Sequence, residues 1–234
     1  MSVGTVNLKI NGVEIAVPEG TTILKAARDN GISIPTLCEL EGLTPYGGCR
    51  VCIVEIIGSP KIFVSCATPV SDGMEVITES EKIKEYRKMA VQNILAERTH
   101  ICSVCVANNS CELQKLANEM GIDHVEFERE WTSNMVDSTH NFLVIDRNRC
   151  ILCTRCVRVC DQIEGVHTLD QKLRSKDTQI IMDMDSLWGE STSCTSCRKC
   201  AKVCPVGSIY VEGEPLSFTK DRTIAKFVLS RRHR

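Results

Sequence analysis

The sequence predicts an α+β fold with three modules, and three observations support this prediction. Two alternating apolar runs flank Asn11-Gly12 and predict a β-hairpin that opens a small mixed sheet. A helical periodicity begins near residue 80. From Cys150 onward, two cysteine-rich blocks repeat one spacing, which predicts a module organised around its cysteines.

The first module, expected over residues 1–79, is a small mixed β-sheet with one helix across it. The hairpin strands are "VNLKI" and "VEIAV", and Asn-Gly between them is typical of a tight two-residue turn. The run "ILKAARDN" predicts a short helix that Thr21 or Thr22 caps and that stops at Gly31. Further strand-like runs are "VCIVEII", "KIFVSC" and "MEVIT".

The second module, expected over residues 80–121, is helical. Residues 80–98 predict one helix, and "CELQKLANEM" predicts a second that ends at Gly121. The expected apolar stripe of the longer helix consists of Ile83, Tyr86, Ala90 and Ile94. A linker over 122–140 and a last module over 141–234 follow, and "TIAKFVLSRRHR" at its end predicts either a last helix or a solvated terminus.

Composition excludes several classes of protein. The 234 residues are 43% hydrophobic and 25% charged, which is typical of a globular chain, and the net charge of −2 argues against a broad nucleic-acid surface. The start of the chain lacks the pattern of an export signal, and no apolar run reaches the roughly 18 residues needed to span a bilayer. We therefore expect a cytoplasmic protein, in which clustered thiols stay reduced and bind metal rather than form disulfides.

The fifteen cysteines fall into four groups along the chain. The groups are Cys38, Cys49, Cys52 and Cys66; Cys102, Cys105 and Cys111; Cys150, Cys153, Cys156 and Cys160; and Cys194, Cys197, Cys200 and Cys204. A disulfide framework, zinc sites and iron–sulfur clusters are the alternatives that such groups raise.

The last two groups both have the spacing C-x2-C-x2-C-x3-C, and Pro205 follows the second of them. This run is typical of two-cluster bacterial ferredoxins, in which the last cysteine of each run binds the other cluster. It predicts two [4Fe–4S] clusters, whereas zinc sites more often use two ligand pairs. The predicted ligand sets are Cys150, Cys153, Cys156 and Cys204 for one cluster, and Cys194, Cys197, Cys200 and Cys160 for the other.

The first group lies in the β-rich module and predicts a [2Fe–2S] cluster. Plant-type ferredoxins use C-x4-C-x2-C followed by a distant cysteine, and here the first gap is ten residues, so the likeness is to the architecture. Gly47 and Gly48 precede Cys49 and allow close approach of the backbone. A zinc ribbon or structural cysteines are the alternatives.

The second group has three cysteines and lacks a fourth ligand. His100 stands two residues before Cys102, and we predict that it completes a [4Fe–4S] site with Cys102, Cys105 and Cys111. A surface histidine is the alternative. With His100, the fifteen cysteines make sixteen ligands, which is four for each of four clusters: one [2Fe–2S] and three [4Fe–4S].

The motifs "HICSVCVANNSCELQ", "RCILCTRCVRVCDQIEG" and "WGESTSCTSCRKCAKVCPVGSIY" resemble a known family. The order of sites is similar to the diaphorase-side iron–sulfur subunit of NAD-linked bidirectional [NiFe]-hydrogenases, and to the N-terminal parts of the large iron–sulfur subunit of complex I and of [FeFe]-hydrogenases. The complex I relative has H-x3-C, a position that Arg98 occupies here, whereas His100 gives the shorter spacing of the hydrogenase subunits.

The resemblance implies a β-grasp [2Fe–2S] ferredoxin domain, a helical [4Fe–4S] domain and a two-[4Fe–4S] ferredoxin-like domain. It implies an electron-relay subunit between a flavin- and NAD-binding diaphorase subunit and the small and large hydrogenase subunits. A bifurcating hydrogenase, an NAD-dependent formate dehydrogenase, a complex I-like assembly and a zinc-stabilised scaffold are the alternatives. No G-x-G-x-x-G or Walker motif occurs, so we expect no complete active site on this chain.

Overall fold

The structure is a computed structural model that describes residues 4–214 and Leu216. The described part of the chain divides into two compact units. The first contains the residues up to Glu39 and those of Pro45–Val91, and the second contains Leu40–Thr44 and the residues from Gln92 onward. The helix predicted within 223–234 lies outside the described residues. Within them, no helix has the length and apolar character that crossing a membrane requires.

The strands and helices are short throughout. The strands are β1 (Thr5–Ile10), β2 (Val13–Pro18), β3 (Ile53–Ile56), β4 (Ile62–Val64), β5 (Met74–Ile77), β6 (Leu143–Ile145), β7 (Leu169–Lys172), β8 (Gln179–Met182) and β9 (Ile209–Val211). The helices are α1 (Ile23–Asp29), α2 (Glu81–Ala96), α3 (Glu112–Glu119), α4 (Arg155–Val159) and α5 (Lys199–Val203).

The first unit is built on a mixed sheet in the order β2-β1-β5-β3-β4, with β1 and β5 parallel. Asn11 and Gly12 both have positive φ, 51° and 80°, which is the backbone of a tight hairpin turn and matches the predicted Asn-Gly turn. The Thr22 side chain accepts from the backbone N–H of Lys25 and caps α1. Side chains from β1, β2, β3, β5 and α1 form the core, so the predicted mixed sheet with one helix is confirmed.

The buried face of α2 differs from the predicted stripe. Ile83 is buried as expected, but Tyr86 is 41% exposed and the buried neighbours of Ile83 along the helix are Arg87 and Val91. Arg87 donates to the carbonyl oxygens of Ile53 (2.8 Å) and Thr78 (3.0 Å) and to the carboxylate of Glu79. The burial of this charged side chain is therefore compensated at both terminal nitrogens of the guanidinium, although its Nε has no partner among the described residues, and apolar periodicity does not reveal it.

The second unit contains two small antiparallel ladders, β6 with β9 and β7 with β8, among the residues described. Helices α4 and α5 follow the second cysteine of the third and fourth groups, respectively. Leu143, Ile145 and Ile209 are fully buried on the β6–β9 ladder. The β7–β8 ladder lies in the spacer between the two cysteine blocks, where the sequence analysis predicted no strand.

Candidate iron–sulfur sites

The first cysteine group lies in the loops around β3 and β4. Cys38, Cys52 and Cys66 are buried, and Cys49 is partly exposed. A side-chain hydrogen bond with Cys38, followed by burial, raises the pKa of Cys49, and a side-chain hydrogen bond with Cys66 lowers the pKa of Cys52 to about 7. The charge on one thiol therefore depends on its neighbour, which places the four side chains in one cluster.

Local backbone geometry allows this convergence. Gly47 has a φ of +68°, a conformation that favours glycine, immediately before the turn that carries Cys49. The hydroxyl and the N–H of Ser65 both bond to the carbonyl oxygen of Cys52, at 2.6 Å and 3.1 Å. These bonds hold the chain before Cys66 against the chain at Cys52.

The second cysteine group lines a cavity of about 230 Å³ in the second unit. The cavity is bordered by His100, Cys102, Cys105 and Cys111, together with apolar residues and Gly207. Cys111 is the N-cap of α3, and its sulfur accepts from the backbone N–H of Gln114 at 3.5 Å. A Cβ atom at Gly207 would lie 2.8 Å from the Cys105 sulfur, so the cavity needs glycine at that position.

His100 borders the cavity with one ring nitrogen that makes no hydrogen bond to the described residues. Its Nε2 atom is buried and has no hydrogen-bond partner among the described residues. A backbone hydrogen bond joins the ring to Ile94, and because Nε2 has no partner, that bond uses Nδ1. One ring nitrogen is thus anchored and the other is left for a ligand in a cavity lined by thiols, as in metal-binding histidines.

The electrostatic surroundings favour the neutral ring. Burial, the largest cause, and the positive charges of Arg129, Arg98 and Arg149 together lower the pKa of His100 to about 4. Arg98, which occupies the H-x3-C position, directs its guanidinium to the carbonyl oxygen of Thr178 at 2.9 Å.

A second histidine lines the same cavity, although it does not lie beside the cysteines in the sequence. His124 is distant from the cysteines in sequence, but the turn after α3 brings it to the cavity. Its side chain is 70% exposed, and its Nδ1 lies 2.6 Å from the carboxylate of Asp123. The buried, unpartnered nitrogen of His100 makes it the better candidate ligand of the two.

The third and fourth groups interleave in space. Cys204 lies close enough to Cys150, Cys153 and Cys156 for its charge to raise the pKa of each, although burial is the larger cause in every case. The pKa of Cys200 is raised by burial first and then by charge on Cys197, Cys194 and Cys160. The structure therefore brings the last cysteine of each run to the other run.

The internal repeat of the sequence reappears in the backbone. In each run, non-glycine residues with left-handed φ flank the middle cysteine: Leu152, Thr154, Ser196 and Arg198. This bend turns the chain around the cysteine before α4 or α5 begins. In two-cluster ferredoxins, the three close thiols of such a run bind three different irons of one cluster.

Burial keeps these thiols protonated unless a positive charge lies beside them. Burial raises the pKa of the Cys153 thiol to about 12 and raises the pKa of Cys156 and Cys200 well above the usual range. Metal binding needs thiolates, so a bound metal centre would supply the positive charge that stabilises these buried sulfurs as anions. This donor set fits iron–sulfur clusters.

Buried ion pairs beside the thiols were missed by the sequence analysis. Lys199 pairs with Glu164 at 2.7 Å with both side chains 4% exposed, and Arg155 forms a two-pronged pair with Glu112 at 2.9 and 3.0 Å. Both cations immediately precede the third cysteine of a run. A basic residue at the same place in both repeats was the signal that could have revealed them.

The arrangement of the thiols differs from that of a site for one metal ion. Within the part of the chain that the structure describes, no three His, Cys, Asp or Glu side chains are placed to share one metal ion. The ligands of a [4Fe–4S] cube bind different irons, so they do not need to converge on one ion. All fifteen cysteines are present as thiols rather than disulfides.

Three family profiles match successive parts of the chain. A 2Fe-2S iron-sulfur cluster binding domain matches residues 4–81, and the NADH-ubiquinone oxidoreductase-G iron-sulfur binding region matches residues 87–126. A 4Fe-4S dicluster domain matches residues 149–208. The first profile covers the first cysteine group, the second covers the group with His100, and the third covers the two repeated runs.

Curated relatives match most of this chain but are much longer. The chain is 35% identical over 227 residues to the NADPH-Fe(3+) oxidoreductase subunit alpha of Geobacter sulfurreducens, which covers 95% of this chain and 26% of that protein. It is 34% identical to the NADP-reducing hydrogenase subunit HndD of Solidesulfovibrio fructosivorans, covering 86% of this chain and 35% of that protein. It is also 34% identical to the NADH-ubiquinone oxidoreductase 75 kDa subunit of Reclinomonas americana, covering 92% and 30%.

A solved structure matches at nearly full length on both sides. It is a chain of an NAD+-reducing [NiFe]-hydrogenase in the H2-reduced state, with a TM-score of 0.84 and 30% identity. The likeness covers 91% of this chain and 89% of that chain. The chain therefore belongs to the family of iron–sulfur subunits found in NAD+-reducing [NiFe]-hydrogenase, NADP-reducing hydrogenase and NADH-ubiquinone oxidoreductase, the family that its motifs resemble.

Proposed function

We propose that this chain is the electron-relay subunit of an NAD-linked hydrogenase. It would connect a diaphorase subunit that binds flavin and NAD(H) with the small and large subunits of a [NiFe]-hydrogenase. The observation that carries the proposal is the near full-length likeness to a chain of NAD+-reducing [NiFe]-hydrogenase. Bound clusters supply one-electron redox chemistry, and the protein supplies position, burial and hydrogen bonds.

The proposed ligands comprise every cysteine and one histidine. The sets are Cys38, Cys49, Cys52 and Cys66 for a [2Fe–2S] cluster in a β-grasp domain; His100, Cys102, Cys105 and Cys111 for a [4Fe–4S] cluster; Cys150, Cys153, Cys156 and Cys204 for a second; and Cys194, Cys197, Cys200 and Cys160 for a third. Support comes from the clustered thiols of each set and from the buried, unpartnered Nε2 of His100.

The residues around the thiols exclude water and hold charge in fixed places. Arg155 lies close enough to Cys153 and Cys204 to interact with their charge, and its own charge is balanced by Glu112, as that of Lys199 is by Glu164. Because so many thiols must stay reduced, we propose that the protein works in the cytoplasm.

A second candidate function is electron relay in a different enzyme complex. The observations for an NADP-linked hydrogenase or a complex I-like dehydrogenase are the likenesses to HndD and to the 75 kDa subunit, which cover 35% and 30% of those proteins. A bifurcating hydrogenase and an NAD-dependent formate dehydrogenase use the same type of subunit. The ligand sets are the same under each reading.

Anaerobic affinity purification of the tagged chain from its own cells tests which enzyme complex the chain belongs to. The proposal expects a flavoprotein and both hydrogenase subunits to co-purify, with H2-dependent NAD+ reduction by the complex. The purified chain alone should neither oxidise NADH nor consume H2. Co-purification with a formate dehydrogenase or with quinone-reducing subunits, and no hydrogenase, would overturn the hydrogenase assignment and retain the relay.

A further inference from the structure

A buried tryptophan contacts one of the proposed ligand sulfurs. The indole Nε1–H of Trp188 donates to the sulfur of Cys194, with an N···S distance of 3.4 Å. Trp188 is 1% exposed and is among the largest fully buried side chains. A buried indole N–H needs an acceptor, and the thiol sulfur is the acceptor that it has here.

The backbone at Trp188 is fixed by a separate set of bonds. The N–H of Trp188 donates to a carboxylate oxygen of Asp137 at 2.8 Å, and the N–H of Gly189 donates to the Thr139 hydroxyl at 2.8 Å. Asp137 is itself tied to β6 through reciprocal backbone bonds with Ile145. A Cβ at Gly189 would collide with the carbonyl group of Thr139, so this approach depends on glycine.

The indole ring is held from the side by His140. The ring centroids of His140 and Trp188 are 5.6 Å apart. The Nδ1 of His140 accepts from the backbone N–H groups of Phe142 (3.2 Å) and Leu143 (3.1 Å), so its proton is on Nε2, which donates to the Ser196 hydroxyl at 3.0 Å. The imidazole is thus locked in one tautomer and cannot turn away from the indole.

The sulfur is held as firmly as its donor. The N–H of Cys194 donates to the hydroxyl of Ser191 at 3.1 Å, and Ser191 in turn donates to the carboxylate of Asp183. Ser193 donates to the same carboxylate. With both partners fixed by their own networks, the contact between Trp188 and Cys194 is built into the fold and does not depend on side-chain freedom.

We propose that Trp188 raises the reduction potential of the cluster bound by Cys194, acting through the ligand sulfur. An N–H donor stabilises the thiolate more when the cluster carries the extra electron, so the reduced form gains more than the oxidised form. This inference rests on the proposed function, because it needs a [4Fe–4S] cluster on Cys160, Cys194, Cys197 and Cys200. It adds a residue outside the cysteine motifs to the control of that site.

The chain offers a matched test because it has two tryptophans, and the other, Trp131, is 68% exposed. In a Trp131→Phe parent, the remaining tryptophan is replaced biosynthetically by β-(3-benzothienyl)alanine, which keeps the bicyclic ring and lacks the N–H. Trp188→Phe is the encoded second variant. Each full-length chain is prepared anaerobically, and its clusters are titrated by EPR-monitored reduction alongside iron and sulfide assays.

The expected result is unchanged iron content and a shift in one [4Fe–4S] signal only. At a fixed potential, its oxidised-to-reduced ratio should rise about tenfold, which corresponds to about 59 mV to lower potential. Unchanged potentials for every cluster, or an equal shift or loss of all of them, overturn the inference. A parent with its clusters but no analogue effect refutes the tryptophan role alone, whereas a parent without iron refutes the proposed function as well.

Discussion

Replacing His100 tests the least conventional ligand of the proposed sites. His100→Ala removes the proposed fourth ligand from the cavity of about 230 Å³ and should make one [4Fe–4S] cluster labile. His100→Cys should keep the cluster and add one negative charge. Two imidazoles raise a Rieske potential well above that of an all-cysteine [2Fe–2S] centre, so one exchange should lower the potential by on the order of 100–300 mV.

The charged residues around His100 allow the difference in reduction potential between the variants to be interpreted. Arg98, Arg129 and Arg149 lie close enough to affect the ring, and they remain in both variants, so their charge cancels in the comparison. The Nε2 atom of His100 is buried and unpartnered, so His100→Cys breaks no hydrogen bond at that atom and loses only the ring's bond with the backbone at Ile94. The predicted shift therefore reports the ligand exchange and not a change in the neighbouring charges.

EPR-monitored redox titration and iron assays on anaerobically prepared chains measure both outcomes. His124→Ala is the matched control because His124 lines the same cavity but is exposed and paired with Asp123. It should leave every signal unchanged. If His100→Ala preserves the shape and potential of all reduced-cluster signals, or if His124→Ala abolishes one of them instead, the ligand assignment is wrong.

The remaining predictions concern the fold and the other sites. Arg87→Ala leaves two buried carbonyl groups without their donor and should lower the free energy of unfolding of the first unit by about 2–4 kcal/mol, read as a shifted denaturant midpoint; an unchanged midpoint would contradict this. Gly207→Ala should displace Cys105 and remove the iron of one [4Fe–4S] cluster, whereas Gly4→Ala, which faces only a flexible glutamate, should not; equal iron in both would refute the steric argument. Cys160→Ser should perturb the cluster of the fourth group and spare that of its own run, and the reverse result by EPR would rule out crossed ligation.

Much of the fold followed from local sequence signals. Asn11-Gly12 has the turn geometry that the pair favours, and Thr22 caps α1 as a β-hydroxyl residue does before a helix. The stripe of α2 was partly wrong because Arg87 is buried by its hydrogen bonds, and periodicity detects only apolar burial.

The candidate sites divide in the same way. Cysteine spacing is a local sequence feature, so the four groups could be predicted from the chain. The repeated spacing of the third and fourth groups corresponds in the structure to pairs of residues with left-handed φ. Contacts between residues that are far apart in the sequence could not be predicted. His124 reaches the cavity through the turn after α3, and Trp188 reaches Cys194 through a loop whose backbone is bonded to Asp137. These positions depend on tertiary packing and carry no spacing signature.

We propose that this chain holds four iron–sulfur clusters. Quantitative iron and acid-labile sulfide analysis of the anaerobically purified chain, with visible absorption and EPR of the same sample, tests it most directly. One [2Fe–2S] and three [4Fe–4S] clusters predict about 14 irons per chain with matching sulfide. About half that iron with no vacant sites by spectroscopy, or zinc without visible absorption, would contradict it.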